Sequence, residues 1–405
     1  MAFDAHALRA SFPLLRESDV VYLDSAATTQ KPDVVLRAMN EFYATHNANV
    51  NRGVHRLAEA ATIAYDDARV RTQQFLHARH AHEIIFTRNT TEAINLVART
   101  WGDTLSKGDA VAVSLLEHHS NIIPWQQLQQ RRGVDVRWIG LTPTGEIDLE
   151  DMERVLGDKR VKLVAVSAVS NVLGTIAPLR KIVDLAHEAG ALVLVDAAQL
   201  APHATIDVQE LQCDFLAFSG HKIYGPTGIG VLYGKEEHLE VMPPFLGGGD
   251  MIQRVTTAGF TPAELPRKFE AGTPAIAEAV GLGAAMDWLR DIDMAAIASH
   301  ERALLTRAIQ RLSQIKGMRI LGPQNPDRIA SCVSFTVADI HPHDLTQLLS
   351  EQNIMLRAGH HCAEPLHLHL GIPASTRLSV ALYTTTEDIE RACDAVERTL
   401  TAWSR

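Results

Sequence analysis

Two side chains in this sequence have settings that could make them nucleophiles: Lys222 and Cys362. Lys222 closes the run CDFLAFS-GHK (213–222), and YGPTG (224–228) follows it. A lysine at a strand end among glycines can be held in a dry cleft, where its pKa falls and the neutral amine needed for a Schiff base is available. A solvated loop lysine is the plainer reading of such a residue alone, so its neighbours must decide. Cys362 lies in RAGHHCAEPL, after Gly359 and among polar residues. The thiolate is the nucleophilic form, and His360, His361 and Arg357 are candidates to take the proton or steady the anion. Adjacent residues of an extended stretch point to opposite sides, so at most one of the two histidines should face the sulfur. The plainer reading of Cys362 is a buried, inert thiol. Cys213 and Cys332, in apolar strand-like runs, and Cys393, in a helical one, read as structural.

Other polar groups fall at the ends of apolar runs. LVLVD ends at Asp196, with Ala-Ala-Gln199 after it. A carboxylate at the C-terminal end of a buried strand sits where α/β sheets bind ligands and can keep a pyridinium nitrogen protonated, although a helix N-cap explains it equally well. Asn89-Thr-Thr91-Glu opens a helical pattern, and a helix start with threonine hydroxyls suits phosphate. EHHSN (117–121) follows VAVS and could lay a histidine over an aromatic cofactor. Each signal is weak alone; their recurrence at successive strand ends is the informative feature.

The elements that must position these groups follow from periodicity. IIFTR (84–88), VAVS (111–114), VKLVAVSAVS (161–170), ALVLVD (191–196), CDFLAFS (213–219) and GIGVLYG (228–234) are almost wholly apolar and mostly alternate with helical patterns. That is the sign of crossover-linked strands covered on both faces. Residues 235–272, rich in Gly and Pro, read as a loop without a core of its own, and a small α+β domain is expected after it. With 405 residues, 46% apolar and 21% charged, the chain should form two soluble globular domains. A net charge of −10 disfavours nucleic acid as a partner. No run reaches a membrane span and the N-terminus has no apolar signal core, so a cytoplasmic protein is expected. Four scattered cysteines without a C-x-x-C pair disfavour disulfides and zinc knuckles.

In order along the chain, LDSAATTQKP, NTTEAINLVA, LLEHHSNIIPW, VSNVLGT, VLVDAAQ, FSGHKIYGPTGIGVLYGK, FEAGTP and RAGHHCAEPL resemble the group II cysteine desulfurases of the Suf and Csd type, relatives of the selenocysteine lyases. The similarity runs from about residue 12 to the C-terminus, and SGHK-x-YGPTGIG and R-x-GHHCA are its specific pieces. The resemblance implies an α/β, aminotransferase-like transferase of fold-type I dependent on pyridoxal 5'-phosphate (PLP). Its large domain (21–272) would hold a mainly parallel seven-stranded sheet. A small α+β C-terminal domain (273–405) would carry the nucleophilic cysteine, and residues 1–20 would pack with that small domain. Lys222 would carry PLP as a Schiff base, Asp196 would pair with the pyridine nitrogen, Gln199 with the ring hydroxyl, and His118 would stack on the ring. Thr91, Ser219 and His221 would hold the phosphate, with Thr273 reaching it from the other subunit of a homodimer. Arg377 would bind the substrate carboxylate, with Arg357 nearby and Asn171 close to ring and substrate. Cys362 would take sulfur from L-cysteine as a persulfide, leaving L-alanine. A small sulfur-acceptor protein of the SufE, CsdE or SufU kind would collect it, with iron–sulfur cluster assembly the expected use and selenocysteine lyase the alternative activity.

Two positions depart from the family pattern: Asn51 where many relatives have His before the arginine (Arg52), and Ala275 where Asn is common. Both bear on substrate handling near the dimer interface. Only four residues separate Arg357 from Cys362, so the cysteine has a short tether, which agrees with an acceptor that comes to the pocket. Two rival readings are weaker. His367 and His369 meet strand spacing for a metal pair but lack a third ligand, and GPTGIG lacks the G-K-[ST] ending of a phosphate loop.

Overall fold

The computed structural model describes residues 3–51 and 53–403, so Arg52 lies outside the described residues. Seven strands form the central sheet, in the spatial order Ile84–Thr87, Gly230–Gly234, Phe215–Ser219, Leu192–Asp196, Val161–Ser167, Ala110–Ser114, Asp135–Ile139. Gly230–Gly234 runs antiparallel to both its neighbours, and every other pairing is parallel. Six of the seven are the apolar runs seen in the sequence. The seventh, DVRWI (135–139), is an edge strand only partly buried on most of its length, so its alternating polarity hides it among loops.

One consequence of this topology places the site. Ile84–Thr87 is antiparallel to Gly230–Gly234, which is antiparallel to Phe215–Ser219. The ends at Thr87, Ser114, Ser167, Asp196 and Ser219 therefore all emerge on the same edge of the sheet, where open α/β sheets bind ligands.

The smaller unit is a four-stranded antiparallel sheet, ordered Met318–Leu321, Cys332–Val337, Ser375–Ser379, Arg357–Gly359. Helices Met294–Ser313, Pro342–Ser350 and Thr386–Trp403 supply the rest of its core. Packing moves the expected boundary at 272/273. Helix Ile276–Arg290 lies against helices Asp33–Glu41 and Arg56–Leu76, and its apolar side joins the core of the large domain. The close approach explains its glycines: a Cβ on Gly283 would sit 3.2 Å from the Ala68 Cα. The small domain thus begins near the cap at Asp293.

The N-terminal segment belongs to both units. Phe12, fully buried, packs among Tyr224, Trp288 and Tyr383, while Arg9 pairs with Asp388 at 2.9 Å. Val21–Tyr22, expected in the large domain, instead pairs in parallel with Ile354–Met355 of the small one. Residues 235–272 are also more ordered than their composition suggests. They contain a hairpin, Ile252–Thr256 with Gly259–Pro262, whose residues are nearly all exposed and so carry no apolar alternation.

A buried ion pair fastens this segment to the core. Glu270 accepts from both terminal nitrogens of Arg69 at 2.8 Å, from the Tyr65 hydroxyl and from the Phe86 N–H, while Arg69 also donates to the Ile84 carbonyl. Both side chains are over nine-tenths buried. Removing one partner leaves a buried uncompensated charge, so Glu270→Ala should destabilise by about 3–5 kcal/mol. Asp19→Ala, which breaks the exposed pair with Arg391, should cost about 1 kcal/mol or less. Urea unfolding midpoints of the two variants check this contrast.

Candidate active site

The strand ends and the edge of the small domain enclose a cleft of about 230 Å³. Lys222 lies on it, as the third residue of the short 3₁₀ turn Gly220–Lys222 that follows strand Phe215–Ser219. Although its surface still opens on the cleft, it is enclosed by the cleft walls. Loss of solvation lowers its pKa to about 8, opposed by Asp196 and assisted by Arg377 and Arg357. The turn is held from behind: the Thr29 N–H (3.1 Å) and the Lys31 Nζ (2.8 Å) both donate to the His221 carbonyl, the peptide preceding Lys222.

Asp196 ends its strand inside the cleft, and its Oδ1 accepts from the Ala198 N–H at 2.9 Å. Burial raises its pKa, opposed by that hydrogen bond and by Lys222. Gln199 donates through Nε2 to the Ala26 carbonyl and accepts from Ser331, which leaves the second Nε2 hydrogen for a ligand. His118 also lines the cleft. Its Nδ1 accepts from the Ser120 N–H, so the ring proton sits on Nε2, and burial with Lys222 nearby drops its pKa to about 3. A neutral ring of this kind suits stacking. Beneath it, Glu117 is buried and bonded by Ser114, Asn121 and Ser167; burial lifts its pKa to about 7 against those hydrogen bonds.

Helix Thr90–Arg99 opens on the cleft with its first turn, a setting suited to an anion. Of its first-turn N–H groups, Thr90 donates to the Ser219 Oγ and Glu92 to the Asn89 Oδ1. Among the described residues this leaves the Thr91 N–H without a protein partner, beside Ser219 and His221 on the cleft wall. Gly230 lets the backbone come this close, since a Cβ there would fall 2.5 Å from the Asn89 Cα.

Opposite lies the small-domain wall. Arg377 is buried on strand Ser375–Ser379 and directly opposite Arg357 in register. Its fork donates to the Asn171 carbonyl (2.8 Å) and to Asp24 (3.1 Å), and Arg357 approaches the same Asp24 at 3.9 Å. Arg357 is the first residue of its strand, so the tether to Cys362 includes the strand residues 358 and 359. The cysteine loop is a tight turn, not an extended stretch: His361 and Cys362 have φ of 50° and 57°, a left-handed conformation unusual for non-glycine residues. It is pinned by the His119 N–H on the Cys362 carbonyl (2.7 Å), the Asn171 Nδ2 on the His361 carbonyl (2.6 Å) and the Ala363 N–H on the His360 carbonyl. His361 is buried and His360 exposed. His361 Nε2 meets the Ser375 carbonyl, which can only accept, so Nε2 carries the proton and Nδ1 a lone pair. Burial, then Arg377, push its pKa down to about 2, so it stays neutral.

The structure thus brings Lys222, Asp196, Gln199, His118, Thr91, Ser219, His221, Asn171, Arg357, Arg377 and Cys362 to one cleft. Thr273 is elsewhere: it is exposed and borders a separate groove with Arg88 and Ala275. Asn51 lies on a further groove beside Arg69 and Glu270, away from the cleft. His367 and His369 sit on helix Glu364–His369, where i and i+2 side chains diverge, and His367 is bonded to Ser375 and the Ala363 carbonyl. Sequence reasoning missed Asp24, Lys31 and His119, whose only signals are tertiary. The residues fit PLP. A desolvated amine, a buried carboxylate and N–H donors at a helix start face three buried polar atoms that have no partner among the described residues: Arg377 Nε, Asn171 Oδ1 and His361 Nδ1.

Comparisons with known proteins agree with this geometry. The chain matches the aminotransferase class-V family over residues 21–392. It is 50% identical to a probable cysteine desulfurase of Streptomyces coelicolor (97% of this chain, 96% of the relative). It is 43% identical to the cysteine desulfurase of Haloferax volcanii (97% and 96%). Among solved structures, the apo cysteine desulfurase of Thermococcus onnurineus superposes with a TM-score of 0.95 at 40% identity (99% and 100% covered). The Escherichia coli cysteine desulfurase CsdA, in an S-sulfonic acid form, superposes with 0.93 at 41% (99% and 100%). With the sheet, the lysine at its strand end and these likenesses in agreement, the chain belongs to the aminotransferase class-V family.

Proposed function

We propose that this chain is a PLP-dependent cysteine desulfurase that converts L-cysteine to L-alanine and keeps the sulfur as a persulfide on Cys362. The observation that carries the reading is the shared cleft of Lys222, Arg377 and Cys362, since a plain aminotransferase or β-lyase has no use for a thiol placed there. The full-length relatives named cysteine desulfurases support it. Bound in the cleft, PLP supplies a sink for the electrons left when the substrate's α-proton is removed. Asp196 would keep the pyridine nitrogen protonated, His118 would cover the ring, Gln199 would meet the ring hydroxyl, and Thr91, Ser219 and His221 would hold the phosphate. Arg377, with Arg357 and Asn171 beside it, orients the substrate through its carboxylate. Lys222, neutral, takes the α-proton and later returns one. The Cys362 thiolate attacks the substrate sulfur: an S–S bond forms, the Cβ–S bond breaks with its electron pair staying on carbon, and protons added at Cβ and Cα give L-alanine. The carbon is reduced as the two sulfurs are oxidised, so no further redox partner enters.

Cys362 is exposed and its turn is pinned, so a persulfide there must be collected in place. This supports a small acceptor protein that brings its own nucleophile; iron–sulfur cluster assembly is the use we propose for the sulfur. A homodimer is supported by the exposed hairpin side chains Val255 and Phe260 and by exposed Val54 and Ile63. Across such an interface Thr273 would reach the partner's phosphate site. All four cysteines are free, which supports work in the reducing cytosol; no described helix is long and apolar enough to cross a membrane.

Three outcomes are expected. Incubated with L-cysteine without reductant, the yellow protein should gain one sulfur on Cys362 by peptide mass spectrometry; Lys222→Ala and Cys362→Ser should abolish it. PLP loading with Cys362 left unmodified would sink the desulfurase reading. Because an amine must be neutral to attack an aldehyde, capture of PLP by the cofactor-free protein should accelerate with rising pH. Its midpoint should fall near pH 8, the lowered pKa of Lys222, and a midpoint above 10 in the absorbance kinetics would contradict the dry site. Sedimentation should give twice the 44.4 kDa chain mass; a fully active monomer would overturn the dimer.

A further inference from the structure

The second histidine of EHHSN has no role in the chemistry above, yet it bonds to the nucleophile's own carbonyl and to the residue two beyond it. The His119 N–H donates to the Cys362 carbonyl at 2.7 Å, and the His119 Nε2 accepts from the Glu364 N–H at 3.1 Å, across 245 residues of sequence. We propose that His119 is a positioning residue that holds the Cys362 turn over the cleft. The inference rests on the desulfurase reading.

The turn needs such a hold. Two successive non-glycine residues, His361 and Cys362, are left-handed, and conformations of this kind persist only when their surroundings over-determine them. The Asn171 and Ala363 bonds fix the residues before the cysteine. Beyond it, the Glu364 N–H is met by the His119 ring. Burial lowers the His119 pKa, with Glu364 opposing and His360 assisting; the Nε2 that accepts here must be unprotonated. His118, the preceding residue, lines the cofactor cleft. One dipeptide therefore sets the distance between cofactor and sulfur acceptor, from the large domain on one side and the cysteine turn on the other.

The test compares His119→Ala, His119→Asn and His119→Gln in the PLP-loaded full chain. The glutamine amide oxygen reaches about as far as Nε2, whereas asparagine stops at the level of Nδ1. Losing one hydrogen bond of about 0.5–1.5 kcal/mol should slow Cys362 persulfide formation at saturating cysteine roughly two- to tenfold in the Ala and Asn variants. The cofactor absorbance change on mixing with cysteine should be retained, and Gln should recover most of the rate. In the cofactor-free proteins, iodoacetamide should alkylate Cys362 faster in Ala and Asn than in wild type or Gln. Wild-type behaviour of His119→Ala in both assays, or a Gln variant as impaired as Ala, would overturn the proposal. If wild type forms no persulfide at all, the desulfurase reading has failed, and the alkylation series decides the positioning role alone.

Discussion

A lysine amine is useful to this site only where its protonated form is disfavoured, and the architecture can be traced to that requirement. Drying Lys222 takes a sheet buried on both faces, whose strand ends open on one edge. It also takes a second domain to roof that edge. The roof brings cations: Arg377 and Arg357 reinforce the lowered pKa of Lys222 while Asp196 resists it. The same two arginines converge on Asp24, so the chain balances their charge with a carboxylate contributed by the N-terminal segment.

Around the amine, neutrality recurs. His118, His221 and His361 all have pKa values pushed well below the usual histidine range by burial and neighbouring cations. Cations close to the reacting centre are therefore mainly arginines, which keep their charge regardless of burial, while the histidines serve as flat or hydrogen-bonding surfaces. In the proposed reaction that division separates charge recognition from ring contact, and the thiol of Cys362 stays exposed at the mouth.

Much of this was legible in the sequence because strand ends are. Apolar runs covered on both faces announce themselves, and the residue types following them (Asp196, Ser219, Lys222, His118) fall on the binding edge by topology alone. What stayed hidden had no local signal. DVRWI (135–139) is a half-buried edge strand, and the hairpin of residues 252–262 is exposed on both sides. Helix Ile276–Arg290 shows its periodicity but not which core it joins. Asp24, Lys31 and His119 act through partners roughly 190 to 350 residues away. The spacing of His367 and His369 pointed to a strand pair, whereas the intervening backbone is helical.

Val21–Tyr22 lies beside Ile354–Met355, and Asp24 beside Arg377. On a ribosome, the first of these partners emerges well before the second, 353 residues earlier in the case of Asp24 and Arg377. The large sheet can assemble during synthesis, but its roof cannot be closed by the N-terminal segment until the last strands exist. The sheet that carries Lys222 and its strand ends is thus complete before the strands bearing Arg357 and Arg377, which roof the cleft, have been made.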